Sequence, residues 1–205
     1  MVLLVEKENN ESYTFGQMLK QPDAADFIHP MIKKDDNHES RDHWDVVIRW
    51  EKPPDVKSIL AIWDFKRKRF PDGSINKHKA RLCAHGGIQQ YGVNYWKTYS
   101  PTVDWISARF LMIVAQVLEI DTQAIYLVSE FPQAELEVPI YMGLPEYMEL
   151  AGHVKDSSKY LLKLKRSSYG LKQASMNWHY KLKLILKIDV LWSPYHTHAY
   201  LFRKI

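Results

Sequence analysis

Most apolar residues of this chain fall in short runs where hydrophobic and polar positions alternate, and a few longer runs repeat at helical spacing. Alternation over four to eight residues is typical of a half-buried strand, whereas apolar residues three and four apart mark one face of a helix. The pattern predicts helices over residues 22–34, 104–119 and 174–187. It predicts strands over residues 44–50, 59–68, 75–84, 160–165 and 198–204, and a strand–turn–strand unit over residues 122–142.

The strongest helical pattern covers residues 104–119, and Asp104 stands where an N-cap is expected. Apolar residues cover most of its circumference: Ile106, Phe110, Ile113, Val114 and Val117. A helix that is hydrophobic nearly all round is normally buried, so we expect this one to lie in the core. In the first predicted helix, residues 22–34, Pro30 is expected to kink the helix or end it.

The second and third predicted strands form the best hairpin of the sequence. Between them lie Pro71, Asp72 and Gly73, which are typical of a tight turn because proline presets one backbone dihedral and glycine permits a positive one. Lys79 and Arg81 are two residues apart on the second strand, so they share a face.

The start of the chain is polar and weakly patterned, and we expect residues 1–21 to be a poorly ordered N-terminal arm. Residues 22–205 are expected to form the folded domain. Within it, residues 33–45 predict a charged connector in which His38 and His43 lie among carboxylates. Their spacing matches no standard metal-ligand set, so the pattern favours a solvated loop over a metal site.

Composition sets outer bounds on the class of protein. The 205 residues are 46% hydrophobic, which supports one domain with a core. Cys83 is the single cysteine, so a disulfide framework or thiolate metal cluster is excluded. The first ten residues do not match a signal peptide, and the apolar run 110–120 is too short to span a bilayer. We expect a soluble intracellular protein, in cytoplasm or nucleus, without a membrane partner or known protein partner.

Charge is unevenly distributed along the sequence. The net charge is +4, yet residues 66–81 carry seven Lys and Arg against one acid, and no acid lies between Asp156 and Asp189 among eight Lys and Arg. Two basic zones suit a polyanion such as nucleic acid. Ordinary solvated lysines explain the same charge, and composition does not separate these alternatives.

Three stretches carry longer motifs. Residues 65–82 give F-K-x-K-x-x-x-D-G-x-I-x-x-x-K-A-R-L, residues 168–178 give S-Y-G-L-K-Q-A-x-x-x-W, and residues 123–142 give Q-A-I-Y-L-V-S-E-F-P-Q-A with a later I-Y-M. Together they resemble the reverse transcriptase domain of Ty1/copia-type retrotransposon polyproteins, over about residues 23–204. The resemblance implies an RNA-directed DNA polymerase that uses Mg²⁺, an RNA template, a DNA primer and dNTPs.

The resemblance also implies a fold and a set of site residues. The fold is α+β, a partial polymerase with a fingers β-hairpin and an incomplete palm of antiparallel sheet and packed helices, lacking the Y-x-D-D hairpin. Lys79 and Arg81 are implied to bind nucleotide phosphate. Gly170, Lys172 and Gln173 are implied to contact template or nucleotide.

One departure from the family pattern bears on activity. Tyr126 stands where the family has a metal-binding aspartate, and a neutral phenol is no substitute for a carboxylate at a magnesium site. Glu130 is four residues further on, roughly 13 Å along a strand. We therefore expect no catalytic residue, no bound metal and no polymerisation. Two alternatives stay open: a binding remnant without chemistry, or a decayed element without a molecular role.

Overall fold

The computed structural model describes residues 11–122, 127–150 and 156–186. Five α-helices and six β-strands occur in these ranges. The helices are α1 (Phe15–Met18), α2 (Ala24–Glu39), α3 (Trp105–Val117), α4 (Glu146–Leu150) and α5 (Ala174–Leu186). The strands are β1 (Ser12–Tyr13), β2 (Trp44–Ile48), β3 (Ala61–Arg69), β4 (Ile75–Ala84), β5 (Glu135–Gly143) and β6 (Tyr160–Arg166).

The strands form two antiparallel sheets of three strands each, in the orders β1-β3-β4 and β2-β6-β5. A short bridge joins the two sheets, because Ile59 donates its N–H to Tyr141 and accepts from Gly143, both at 2.8 Å. Helices packed with antiparallel sheets make this an α+β protein, as the sequence predicts.

The β3–β4 hairpin agrees with the sequence pattern in detail. Asp72 accepts from the Ser74 N–H at 2.9 Å in the turn, and Gly73 has a φ of +86°. Trp63 and Phe65 point from one face of β3 into the core, where both are buried. The other face of the hairpin is therefore left for charged side chains.

Residues 12–18 differ from the expected N-terminal arm. Ser12 and Tyr13 pair with β3, and α1 begins with a capping box in which Thr14 and Gln17 bond each other's backbone. Phe15 and Met18 are buried in the core. The arm prediction is wrong for this segment because two apolar residues three apart are enough to anchor a single helical turn against β3; residues 1–10 lie outside the described part.

Helix α2 continues through Pro30 to Glu39, so the predicted connector is helical over its first half. A proline removes one N–H and crowds the preceding turn, at a cost of ~3 kcal/mol. Phe27 and Met31 on either side of Pro30 are both buried against the core, which offsets that cost. The packing of α2 along β4 therefore outweighs the tendency of Pro30 to end the helix.

Helix α3 begins as predicted, with the Asp104 carboxylate accepting from the Ser107 N–H at 2.8 Å. Its predicted burial is wrong. Ile106 is 81% exposed, Phe110 63%, Ile113 61% and Val117 73%, and Ala115 is the buried residue of the helix. The described residues do not cover this apolar face.

Two predicted segments lie outside the described residues: the strand around Tyr126 and the strand over residues 198–204. The second half of the 122–142 unit is confirmed, since a turn at Phe131–Gln133 leads into β5. Among the helices in the described ranges, none combines the length and apolar character that crossing a bilayer requires.

Candidate nucleic-acid and nucleotide interface

The register of the hairpin fixes where the two predicted phosphate-binding cations lie. Lys79 is opposite Lys66, and Arg81 is opposite Asp64, with which it forms an ion pair at 3.2 Å. Both partners of that ion pair are about one-third exposed, so solvent screens it and an incoming anion can compete for Arg81.

Lys79 is half-buried, and no carboxylate of the described ranges lies within ion-pair distance of it. Burial lowers the pKa of its amine, and like charge nearby lowers it further, from Arg81, Lys68, Lys77 and Lys34. A partly desolvated amine among other cations is stabilised by any anion that reaches it.

Lys34 was not identified from the sequence. It lies on α2, which packs along β4, and its Nζ donates to Ser129 Oγ at 3.4 Å and sits 5.5 Å from the centre of the Tyr169 ring. Burial lowers the pKa of Lys34 as well, and the positive charge of Arg41 adds to that effect. Its spacing from Phe27 and Met31 was the available signal, because positions i, i+4 and i+7 share one helix face.

A network of charges fixes the hairpin to α2. Arg67 donates to both carboxylate oxygens of Asp23, at 2.7 and 2.5 Å, and His78 lies 2.8 Å from the same carboxylate. The Arg67 guanidinium holds the pKa of Asp23 well below its usual range. This bidentate pairing sets the orientation in which β4 presents Lys79.

Gly170 lies at the other end of β4. Its φ is +86°, and a Cβ there would come within 2.2 Å of the Ala84 carbonyl oxygen. The space at Gly86 is equally restricted, because an added Cβ there would lie 2.0 Å from the Gly170 carbonyl oxygen. The backbone at Gly170 therefore approaches β4 closely, and the Ala84 N–H donates to the Tyr169 carbonyl at 2.7 Å.

Gln173 and Lys172 belong to a hydrogen-bond network on the same turn. Gln173 is buried, accepting from Gln89 Nε2 at 3.0 Å and donating to the Asn94 carbonyl at 2.9 Å. Lys172 is exposed, and its Nζ lies 3.2 Å from the Tyr95 hydroxyl and 4.7 Å from the centre of that ring. In this structure Gln173 holds the turn in place, while Lys172 faces solvent.

A cavity of about 210 Å³ opens beside Gln173. It is lined by the segment after Gln90, by β5 and by α5, including Tyr95, Trp96, Lys97, Glu137 and Tyr180. Aromatic rings next to lysines are the surface on which bases of a single strand stack.

The structure thus places the predicted residues in two groups along β4. Lys79 and Arg81 lie in the middle and second half of β4, and the turn with Gly170 crosses its end at Ala84. Ala84 lies five positions after Lys79, which is roughly 16 Å of extended chain.

His38 and His43 form a buried pair, which corrects the solvated loop expected there. His38 is 1% exposed and stacks on Trp44, and its Nδ1 lies 2.6 Å from His43 Nδ1. Burial lowers the pKa of His38 to about 3 and that of His43 to about 4, with the charges of Lys34 and Arg41 acting in the same direction. Two imidazoles this close share a proton, which is a structural role and not a metal site.

Comparison with known proteins identifies the family. A family model described as reverse transcriptase (RNA-dependent DNA polymerase) matches residues 41–204. This chain belongs to the reverse transcriptase family. It is 35% identical over 144 residues to the Retrovirus-related Pol polyprotein from transposon RE2 of Arabidopsis thaliana, covering 70% of this chain and 9% of that protein.

Two further relatives agree. The corresponding polyprotein from transposon RE1 of Arabidopsis thaliana is 34% identical over 78% of this chain and 11% of its own length. That from transposon TNT 1-94 of Nicotiana tabacum is 26% identical over 96% of this chain and 14% of its own length. This chain thus spans about a tenth of the length of each of these curated relatives. No solved structure matches the chain.

Reverse transcriptases generally use Mg²⁺, so the side chains available as ligands decide whether this chain can bind such an ion. Within the described ranges, one group of three side chains has ligand atoms within 4.8 Å of one another: Asp23, Asp26 and His78. Asp23 is already held by Arg67 and His78, near the turn of the hairpin. Magnesium prefers a shell of oxygens, so this group does not fit it, and the position of Tyr126 lies outside the described residues.

Proposed function

We propose that this reverse transcriptase domain binds an RNA–DNA duplex or nucleotide through phosphate contacts at Lys79 and Arg81 but does not polymerise. In this proposal β3–β4 is the fingers hairpin, and the β2-β6-β5 sheet with its helices is part of the palm. The observation that carries it is Lys79, a partly desolvated amine among cations without a described carboxylate partner.

The two cations have complementary roles in the proposal. Lys79 supplies a point charge that an anion stabilises, and Arg81 supplies a planar fork that can leave Asp64 for a phosphate. Lys34, on the helix packed beside them, adds positive charge to the same region. Gly170 and Gln173 hold the turn that presents Lys172, so Lys172 is the residue of that turn placed to contact a strand.

The absence of polymerisation rests on Tyr126. A two-metal mechanism needs carboxylates that bind both ions, whereas a tyrosine phenol ordinarily loses its proton only near pH ~10 and is therefore neutral at pH 7. Binding is independent of this requirement, because phosphate contacts need cations only.

Binding to an RNA–DNA duplex across a salt series tests the proposal. The double variant Lys79→Gln with Arg81→Gln should weaken binding and reduce the slope of log K against log salt by about 2, close to one unit per lost phosphate contact. The matched control is Lys163→Gln with Lys165→Gln, which removes the same charge at the same spacing on β6.

The control separates a site from general charge. If both double variants weaken the duplex equally, the contacts are non-specific and the assignment of Lys79 and Arg81 is wrong. Unchanged affinity in the first variant also contradicts it. Circular dichroism spectra of both variants should match the parent, because the substituted side chains are outside the core.

A further inference from the structure

Four polar side chains meet where α2, the segment before β5 and the turn that carries Gly170 come together. The Lys34 Nζ donates to Ser129 Oγ at 3.4 Å and lies 5.5 Å from the centre of the Tyr169 ring. The Tyr169 hydroxyl in turn donates to Glu130 Oε2 at 3.3 Å. All four side chains are partly buried. The group therefore combines one ammonium and two hydroxyl donors with one carboxylate.

The electrostatics around Lys34 favour the presence of an anion. Burial lowers the pKa of the Lys34 amine, and the positive charge of Arg41 adds to that effect. Lys34 also contributes to the lowered pKa of Lys79, so these two amines lie close enough for their charges to interact. The negative charge of Glu130 acts on Lys34 in the opposite direction. The Glu130 side chain thus supplies negative charge that the neighbouring cations require.

The backbone holds Ser129 and Glu130 in place independently of their side chains. Ser129 has a φ of +53°, and the Glu130 carbonyl accepts from the Gln133 N–H at 3.0 Å. The Gln133 side chain donates to the Val128 carbonyl at 2.9 Å, which closes the same turn. A change of side-chain rotamer at Glu130 can therefore move its carboxylate away while the Ser129 hydroxyl stays in position.

A terminal phosphate group matches these donors better than a carboxylate does. It carries roughly −2 charge at pH 7 and three strong acceptor oxygens, whereas a carboxylate has two oxygens and a single charge. We propose that Lys34, Ser129 and Tyr169 form a phosphate site that the Glu130 carboxylate occupies in the free protein, and that a terminal phosphate displaces this carboxylate. The proposal rests on the proposed function for its class of ligand, but it uses residues other than Lys79 and Arg81.

Isothermal titration calorimetry with inorganic tripolyphosphate tests this exchange. Glu130→Gln should bind about tenfold more tightly than the parent chain, because glutamine keeps the size of the side chain and removes the competing charge. Lys34→Gln should bind about tenfold more weakly. Glu135→Gln is the matched control, because it removes the same charge from an exposed side chain and frees Arg166 from an ion pair. The control should bind like the parent.

Chemical acetylation of the parent chain gives a second measurement that needs no substitution. Tripolyphosphate should slow the acetylation of Lys34, because a bound phosphate covers its amine. Lys33 is the matched control, since it is the exposed neighbour of Lys34 on the same helix. Its acetylation rate, followed by mass spectrometry of the same peptide, should not change.

An RNA–DNA duplex with hydroxyl ends identifies the source of the phosphate group. Such a duplex has no terminal phosphate, so Glu130→Gln should tighten its binding much less than that of tripolyphosphate. An equal gain for both ligands would assign the site to backbone phosphates and overturn the proposal. So would a Glu130→Gln variant that binds tripolyphosphate no more tightly than Glu135→Gln, or equal protection of Lys33 and Lys34. Duplex binding by Lys79 and Arg81 is measured separately, so the two proposals can fail independently.

Discussion

The buried histidine pair makes the stability of this domain depend on pH in a defined direction. His38 is almost completely enclosed, and burial lowers its pKa to about 3 from an ordinary value of 6.5. Between these values the unfolded chain binds a proton at His38 and the folded chain does not. The free energy of unfolding is therefore highest above pH 6.5 and falls as pH is lowered toward 3.

The size of this loss of stability follows from the difference between the pKa values of His38 in the unfolded and folded chain. Each pH unit below 6.5 costs about 1.4 kcal/mol, so His38 alone removes about 2 kcal/mol of stability by pH 5. Positive charges nearby on Lys34 and Arg41 oppose protonation, and His43 changes in the same direction with a pKa of about 4. Against a typical total of about 5–15 kcal/mol, this loss is large.

Urea denaturation at pH 7.5 and pH 5.0 measures this loss. The His38→Gln variant should reduce the difference between the two pH values by about 2 kcal/mol, because glutamine keeps a hydrogen-bonding group but does not titrate. His29→Gln is the matched control, as His29 is exposed on the same helix. The reasoning fails if His38→Gln and the parent lose equal stability on acidification, or if His29→Gln removes as much of the difference.

Two further predictions concern the glycine crossing and the missing acid. Gly170→Ala should lower the free energy of unfolding by about 3 kcal/mol or more in thermal or urea unfolding, because it combines a positive φ with a backbone clash at Ala84. The control Gly73→Ala, which has the same φ but lies in open space, should cost about 1 kcal/mol. Equal costs for the two variants would contradict the close contact at Gly170. Primer extension with Mg²⁺ should be undetectable for the parent and for Tyr126→Asp, because one restored carboxylate does not complete a two-metal site. Extension by either chain would refute this.

The sequence predicted those parts of the fold that local chemistry determines. The hairpin was correct in strands and turn because Asp72 and Gly73 satisfy a specific turn geometry. The Asp104 cap was correct for the same reason. Such signals depend on residues within a few positions of one another.

Other features depend on contacts between residues that are distant in sequence, and the hydrophobic pattern did not predict them. Helix α2 passes Pro30 because β4 packs along it, and the His38–His43 pair is buried by its stacking on Trp44 and the packing of α2. Burial of α3 was expected from its apolar residues, although composition shows only that a partner is required and not that the same chain provides it. Lys34 comes near Lys79 because α2 packs along β4, although its spacing from Phe27 and Met31 already placed it on the buried face of the helix.

The close main-chain contacts at Gly170 and Gly86 limit which substitutions the protein tolerates at these two positions. Each missing methyl group would collide with a main-chain carbonyl, and main-chain atoms are present whatever residue occupies the neighbouring position. No second substitution nearby can therefore compensate for a first one at either glycine. A single alanine at this crossing is therefore expected to cost about 3 kcal/mol or more, a large share of the roughly 5–15 kcal/mol by which a typical domain is stable.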